Sequence, residues 1–515
     1  MNKDLLNDFN FGLDKLTTAH LVELASVSNR QILVDKKATK VVKDFRKIIE
    51  EKVQSGNTYY GINTGFGSLS SVRIPDDQLR QLQVNLVRSH ACGVGKPLEI
   101  SIVRAILLLR AHTFMLGHSG ISWEVVQLVL DMVERDVIPV VPEQGSVGAS
   151  GDLAPLAHLA LGMIGEGEVF YKGELCDARV AFDKEELKPL TLGPKEGLSL
   201  INGTHFMSAI AAFAIEESGR LLRAADVICA MSLDAVRGTT RAFDERVHNI
   251  RKQSGQSKVA KNIREIFSDQ DDIMESHVDC NRVQDPYSFR CTPQVHGTSR
   301  DAFGYAENIV NNELNSVTDN PLAFDDGDII SGGNFHGQPV AMAMDFLGIA
   351  IAELGSISEQ RTMKLTNSQL SGLPPFITEN SGLNSGYMIP HVVAASLVSE
   401  NKILTHPACV DTIPTSADME DHVSMGPIAA RKARTIIENV SKVLAIELLA
   451  GCQGVDLLVP LKPGPFLLEV FSQVRSMSPY MESDRSLHKD IEKVSEWILE
   501  GGIDRIIENG SYNIN

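Results

Sequence analysis

The chain has 515 residues, 43% hydrophobic and 22% charged, proportions that exclude a disordered protein and suit one large helical body with a smaller attached domain. Its 66 acidic against 48 basic residues give a net charge of −18, which excludes a non-specific nucleic-acid binder built on basic patches. Seven cysteines (92, 176, 229, 280, 291, 409 and 452) form no CxxC pair, which argues against a disulfide framework or a cysteine zinc site and for a reducing, cytoplasmic setting.

Met1–Asp8 lacks the charged-then-apolar pattern of a signal peptide. Residues 17–56 carry apolar side chains at helical spacing (Leu21, Leu24, Ala25; Val41, Val42, Phe45, Ile48, Ile49) and read as short helices. Glycines 61, 65 and 67 turn the stretch from Tyr59 into a loop. An amphipathic run from Asp77 to Val87 ends at a second break, Ser89–Pro97. Residues 98–116 and 122–137 are predicted helices, the second capped by Ser122. The apolar run Ile102–Leu116 contains Arg104, Arg110 and His112, so a buried helix is expected there and no membrane span.

Gly145-Ser146-Val147-Gly148-Ala149-Ser150-Gly151 concentrates three glycines and two serines in seven residues, a tightly shaped loop. The sequence then turns apolar, and Asp152 is expected near the start of a helix, where a carboxylate suits the dipole. Glu166–Leu175 reads as a hairpin around a Lys-Gly turn, followed by charged, irregular sequence to Gly197. These features place a domain boundary near 200: an α-rich 1–200 with the glycine loop and hairpin, and 201–515 as a long-helix bundle with a C-terminal helical region. Met207–Val236, Val340–Gln360, Gly386–Leu404 and Pro427–Gly451 are rich in Ala, Leu, Ile and Met and are predicted as long helices. Being apolar nearly all round, they are expected to be buried in a bundle or against other subunits.

There is no GxxxxGK[ST], no HExxH and no EF-hand loop, and no histidine pair has convincing metal spacing. Gly151 directly after Ser150 rules out the GxSxG elbow. What remains is a set of polar clusters inside apolar sequence: Asn202-Gly203-Thr204, Gln284 to Arg290, Asn334-Phe335-His336 and Glu420-Asp421-His422. Gln284, Tyr287 and Arg290 recur every third residue, the spacing of one helical face. Each cluster alone also suits a cap or a solvated turn; together they suggest one polar site assembled from remote segments.

With Tyr60–Gly67, Gly145–His158, Val283–Arg290, Asn315–Leu322 and Glu420–Met425 added, the sequence resembles the aromatic amino acid ammonia-lyases and aminomutases over nearly its whole length, and most of all the histidine-acting ammonia-lyases. The resemblance implies a mainly α fold, a long antiparallel helical bundle. It implies a homotetramer whose active sites are shared between subunits, and an amino acid substrate. It also implies that Ala149-Ser150-Gly151 cyclises into a 4-methylidene-imidazol-5-one (MIO), with no external cofactor and no metal. In that cyclisation the Gly151 amide nitrogen attacks the Ala149 carbonyl and dehydration leaves the Ser150 side chain as an electrophilic methylene.

By the same resemblance Tyr60 is the base, Arg290 clamps the substrate carboxylate, and Asn202, Gln284 and Tyr287 hold substrate and prosthetic group. Phe335 lines the pocket. His90 and Glu420 are expected to take the imidazole of histidine, because two polar groups would stand unpaired against a phenyl ring. The motifs Arg88-Ser89-His90 and Asn334–Pro339 are also similar to tyrosine-acting aminomutases. Asp418-Met419 and His205 depart from the residues usual in the family. The alternatives are therefore a tyrosine or phenylalanine ammonia-lyase, a 2,3-aminomutase with the same chemistry, or a helical scaffold without activity.

Overall fold

A computed structural model describes residues 9–28, 31–55, 58–65, 73–279, 282–510 and 512–515. Phe66, Gly67, Cys280 and the segment Met1–Asp8, all part of the sequence reading, lie outside the described residues. The protein is mainly helical with a few short strands, as expected. Contacts divide it into two compact units. One is Met1–Phe213, Glu307–Asp345 and Pro407–Arg431; the other is Ala214–Ala306, Phe346–His406 and Lys432–Asn515. The sequence suggested a single cut near 200. The boundaries at 213, 306, 345 and 431 instead fall inside helices, where no change of composition marks them.

In the first unit, Thr18–Ser26 and Lys36–Gln54 are helices whose caps, Thr17 and Asp35, accept from the His20 and Lys37 amides. The expected helices at 98–116 and 122–137 are Ile100–Met115 and Trp123–Glu134. The second ends early because Asp136 adopts φ +55° and Val137–Pro139 becomes a strand. Ser122 stands at the N-cap, but its side chain makes no capping bond. The hairpin is Glu168–Tyr171 with Glu174–Asp177, joined by Lys172 and Gly173, both at positive φ as a type I′ turn requires. The break after His90 holds a strand, Val94–Pro97, paired antiparallel with Pro142–Gln144. The stretch to Gly197 is less irregular than expected, with helices Ala178–Lys184 and Glu196–Ile201.

Helices Leu79–His90, Leu153–Met163 and Glu196–Ile201 pack on one another, which places their ends together. Asp152, expected to serve its own helix, caps a different one. Its side chain makes no bond to the Leu153–Met163 helix; Oδ2 accepts from the Phe206 and Met207 amides at 3.0 and 3.1 Å. These are orphan donors of the first turn of His205–Ala235. The carboxyl is fully buried, and burial raises its pKa to about 8 although the two amides pull the other way.

The long helices appear as His205–Ala235, Gln338–Thr366, Met388–Leu404 and Gly426–Asp456, each within a few residues of its sequence reading. A further long helix, Thr292–Glu313, lacks the apolar density of the others and was not anticipated. Gln338–Thr366 alone among the described helices is long and apolar enough to cross a membrane; two-thirds of its most apolar window is buried inside the protein. In the second unit Arg361 grips Glu447 through Nε and Nη2 at 2.6 and 2.9 Å, and Ser232 donates to the same carboxylate at 2.7 Å. Arg361 and Glu447 are fully buried. Arg361 Nη1 also reaches the Ser288 carbonyl at 3.4 Å, within the short helix Tyr287–Arg290.

Two expectations follow. Glu447→Ala leaves the Arg361 charge buried without its partner and should cost about 3–5 kcal/mol, read as a lower urea midpoint. Asp152 binds its proton up to about pH 8 when folded and only to about pH 4 when unfolded. Its stabilisation is therefore complete below pH 4, declines as pH rises and is gone above about 8. Asp152→Asn should remove that decline, so the difference in unfolding midpoint between variant and unmutated protein should shift steadily in favour of the variant from pH 4 to 8.

Candidate active site

The glycine-rich loop is held by backbone pairing with a second loop. Gly151 and Gly203 form an isolated parallel bridge: the Asp152 amide donates to the Gly203 carbonyl at 2.8 Å, and the Gly203 amide to the Ser150 carbonyl at 3.4 Å. Asn202 Nδ2 donates to the same Ser150 carbonyl at 3.1 Å. Gly151 has φ +74°, and a Cβ there would overlap the Gly203 carbonyl, so only glycine fits. Ala149 is buried against Val423 and Met425. Met425 donates its amide to the Val147 carbonyl at 2.8 Å, and Ser424 Oγ donates to the Gly148 carbonyl at 3.1 Å. Among the described residues the Gly151 amide donates no hydrogen bond.

Beneath this pair lies a buried cation. Arg110 donates Nη1 to the Asn202 carbonyl and to His205 Nδ1, both at 2.9 Å, and Nη2 to the Ser199 carbonyl. Burial lowers its pKa to about 10. His205 sits well below the ordinary histidine range, through burial first and Arg110 second. It is neutral, so Nδ1 accepts from Arg110 while Nε2 donates to Thr113 Oγ1 at 3.2 Å.

A cavity of about 580 Å³ opens over the loop, and the first unit alone lines it. Of the residues singled out from sequence, the structure brings Tyr60, His90, Ala149, Ser150, Asn202, Phe335 and Glu420 to its wall. Gly151 lies below them, buried in the bridge. Ser150 Oγ donates to Glu420 Oε1 at 2.8 Å, while Thr415 and Ser416 hydroxyls hold Oε2 at 2.7 and 2.8 Å. His90 Nδ1 faces the Leu86 carbonyl at 2.9 Å and so carries the proton, leaving Nε2 as the acceptor. Burial lowers the His90 pKa, against the Leu86 carbonyl and the Glu420 charge.

Gln284, Tyr287 and Arg290 do not line this cavity; they belong to the second unit. Their expected common helical face is also corrected. The helix starts only at Tyr287, after Pro286, because proline suits a helix start and not an interior, and Gln284 is exposed coil before it. Tyr287 and Arg290 do share a face, with the guanidinium 4.5 Å from the ring centroid, and Tyr287 is 70% exposed. Tyr287 lines a separate cavity of about 440 Å³ on that unit.

Sequence reasoning assigned no role to Asn320, His336, Met419 or His422, all on the wall of the first cavity. Each adjoins or lies within a quoted motif, which was the available signal. Among the described residues no group of three or more His, Cys, Asp or Glu is placed to hold a metal.

Residues 16–476 match the family model described as aromatic amino acid lyase. A histidine ammonia-lyase of Myxococcus xanthus is 48% identical over 487 residues, 94% of this chain and 96% of its own. The crystal structure of histidine ammonia-lyase from Trypanosoma cruzi aligns with a TM-score of 0.90 at 43% identity, covering 97% of this chain and 95% of that one. Tyrosine aminomutase from Streptomyces globisporus aligns at 0.92 with 33% identity, covering 98% and 99%. A match of this extent, over a chain that places Ala149 and Ser150 on a cavity wall above Gly151, shows that the protein belongs to the aromatic amino acid lyase family.

Proposed function

We propose that the protein is a histidine ammonia-lyase, eliminating ammonia from L-histidine to give trans-urocanate. The observation that carries the substrate is the pair His90 and Glu420 on one cavity wall with Ser150. The near half-identity to a histidine ammonia-lyase over nearly the full length supports the same reading.

The loop fits the family's prosthetic group. Ala, Ser and Gly stand in order, the Gly151 backbone is in the left-handed region that the tight loop needs, its amide is uncommitted among the described residues, and the Ser150 side chain faces the cavity. An MIO formed from these three residues supplies the electrophile that no ordinary side chain offers, so that ammonia can leave. Loss of the Ser150 hydroxyl removes the donor from Glu420 Oε1 and frees that oxygen for the substrate, while Thr415 and Ser416 keep hold of Oε2.

Glu420 then accepts the substrate imidazole N–H, and neutral His90 stands on the same cavity wall beside that ring. Tyr60 takes the β-proton. The electrons of that C–H bond form the double bond, and the C–N pair leaves with ammonia. Asn202, held through its carbonyl by Arg110 and through Nδ2 on the Ser150 carbonyl, fixes the loop beside the substrate. Phe335 packs against the ring. Arg290 binds the carboxylate bidentately, with Gln284 and Tyr287 beside it.

These last three come from a neighbouring copy in a homotetramer. The helix Met388–Leu404 supports such assembly: only Ala394 and Asn401 of its 17 residues are buried, and Ile389, Val392 and Val393 are 58, 54 and 41% exposed. The setting is cytoplasmic.

Adding L-histidine to the purified protein should release urocanate, read by its absorbance. A β-amino acid from tyrosine or phenylalanine instead would overturn the substrate and make the protein an aminomutase. Ser150→Ala should abolish turnover without loss of the folded assembly, and its intact mass should lack the two-water deficit of the unmutated chain. Glu420→Gln should lower kcat/KM for L-histidine by about 10- to 100-fold, the weight of one charge-assisted hydrogen bond.

A further inference from the structure

The segment that carries Glu420 is strained and lightly held. Ser416, Ala417 and Asp418 lie consecutively at φ +52°, +54° and +63°, a conformation that side-chain-bearing residues rarely adopt. Within the segment, Thr415 and Glu420 pair through both amides, and the Val423 amide donates to Thr412 Oγ1 at 2.9 Å. Apart from bonds to the chain neighbours Asp411 and Val423, two hydrogen bonds among the described residues reach 412–422 from elsewhere. One is Ser150 Oγ to Glu420 Oε1; the other is His336 Nε2 to the His422 carbonyl at 3.2 Å.

The two ties differ in permanence. Cyclisation of Ala149-Ser150-Gly151 consumes the Ser150 hydroxyl, and the first tie goes with it. The second is independent of that chemistry. A carbonyl can only accept, so Nε2 of His336 carries the proton and donates in the neutral and the protonated ring alike. The rings of His336 and His422 also stack in parallel, with centroids 5.7 Å apart and planes 6° from coplanar. His336 directly follows Phe335, and its own amide donates to the Gly333 carbonyl at 3.0 Å, so the donor is fixed on the cavity wall.

We propose that His336 is a positioning residue: its Nε2–H, donated to the His422 carbonyl, is the tie that aligns Glu420 once the Ser150 hydroxyl has been lost. The inference rests on Glu420 being the partner of the substrate imidazole. It concerns the finished enzyme and not the making of it, because before cyclisation Ser150 still holds Glu420.

Two amides separate this from a merely structural role. Glutamine at 336 can set its amide nitrogen where Nε2 stands, whereas asparagine reaches only to the place of Nδ1. His336→Gln should keep kcat/KM for L-histidine within about threefold, and His336→Asn should lower it about tenfold, the weight of one neutral hydrogen bond. Both variants should still show the two-water mass deficit. His336→Phe, which keeps a stacking ring without a donor, should resemble His336→Asn.

Full activity in His336→Asn, or rescue by phenylalanine and not by glutamine, overturns the proposal. So does a His336→Asn chain that retains both waters, since His336 would then serve maturation. Absence of urocanate from the unmutated protein is a different failure: it removes the histidine reading and this inference with it.

Discussion

Everything at the candidate site hangs on the pairing of two glycine turns. Gly151 and Gly203 approach so closely that a Cβ on Gly151 would overlap the Gly203 carbonyl. The bridge, continued by Asn202 Nδ2 on the Ser150 carbonyl, sets the Ala149-Ser150-Gly151 loop against the start of the His205–Ala235 helix. Asp152 locks the arrangement from below. Its carboxyl leaves its own helix uncapped and takes the first amides of the neighbouring one, so loop and long helix cannot part without leaving buried polar groups unpaired.

The same economy of buried polar groups runs outward from that lock. Arg110 is enclosed, yet both its Nη groups meet partners, the Asn202 and Ser199 carbonyls and a neutral His205 ring. A buried guanidinium held this way stiffens the Asn202 turn that in turn presses on Ser150. Above the loop the balance changes. Glu420 arrives on a segment with three consecutive left-handed residues and few outside bonds, a conformation that persists only where the surroundings impose it. Rigid support under the reacting loop and a strained, lightly tied carboxylate over it fit a site in which one partner is covalently remade.

Much of this was legible in the chain, for physical reasons. Long runs of Ala, Leu, Ile and Met made His205–Ala235, Gln338–Thr366 and Gly426–Asp456 readable as helices, and the Lys172-Gly173 pair marked its hairpin. Thr292–Glu313 escaped because its apolar residues are diluted by Asn, Gly and charged side chains. The Gln284, Tyr287, Arg290 spacing suggested a shared helical face, but a proline at 286 moved the helix start past the first of them. Four of the five unit boundaries were invisible, since the chain crosses them inside helices; the fifth, between His406 and Pro407, lies in a loop.

By itself the sequence determined the class of fold, the family, and the seven residues Tyr60, His90, Ala149, Ser150, Asn202, Phe335 and Glu420 that meet around one cavity. The fold class follows from local propensity, and the family and the seven residues from the resemblance that the order of the motifs carries. Only the tertiary structure decided what each of them touches. Asp152 caps a helix 53 residues beyond its own position in the chain rather than its own, His90 is fixed in one tautomer by Leu86, and His336 meets the His422 carbonyl across 86 residues of sequence. Such partners are set by how packed helices bring distant loops together, a distance relation that no local pattern encodes.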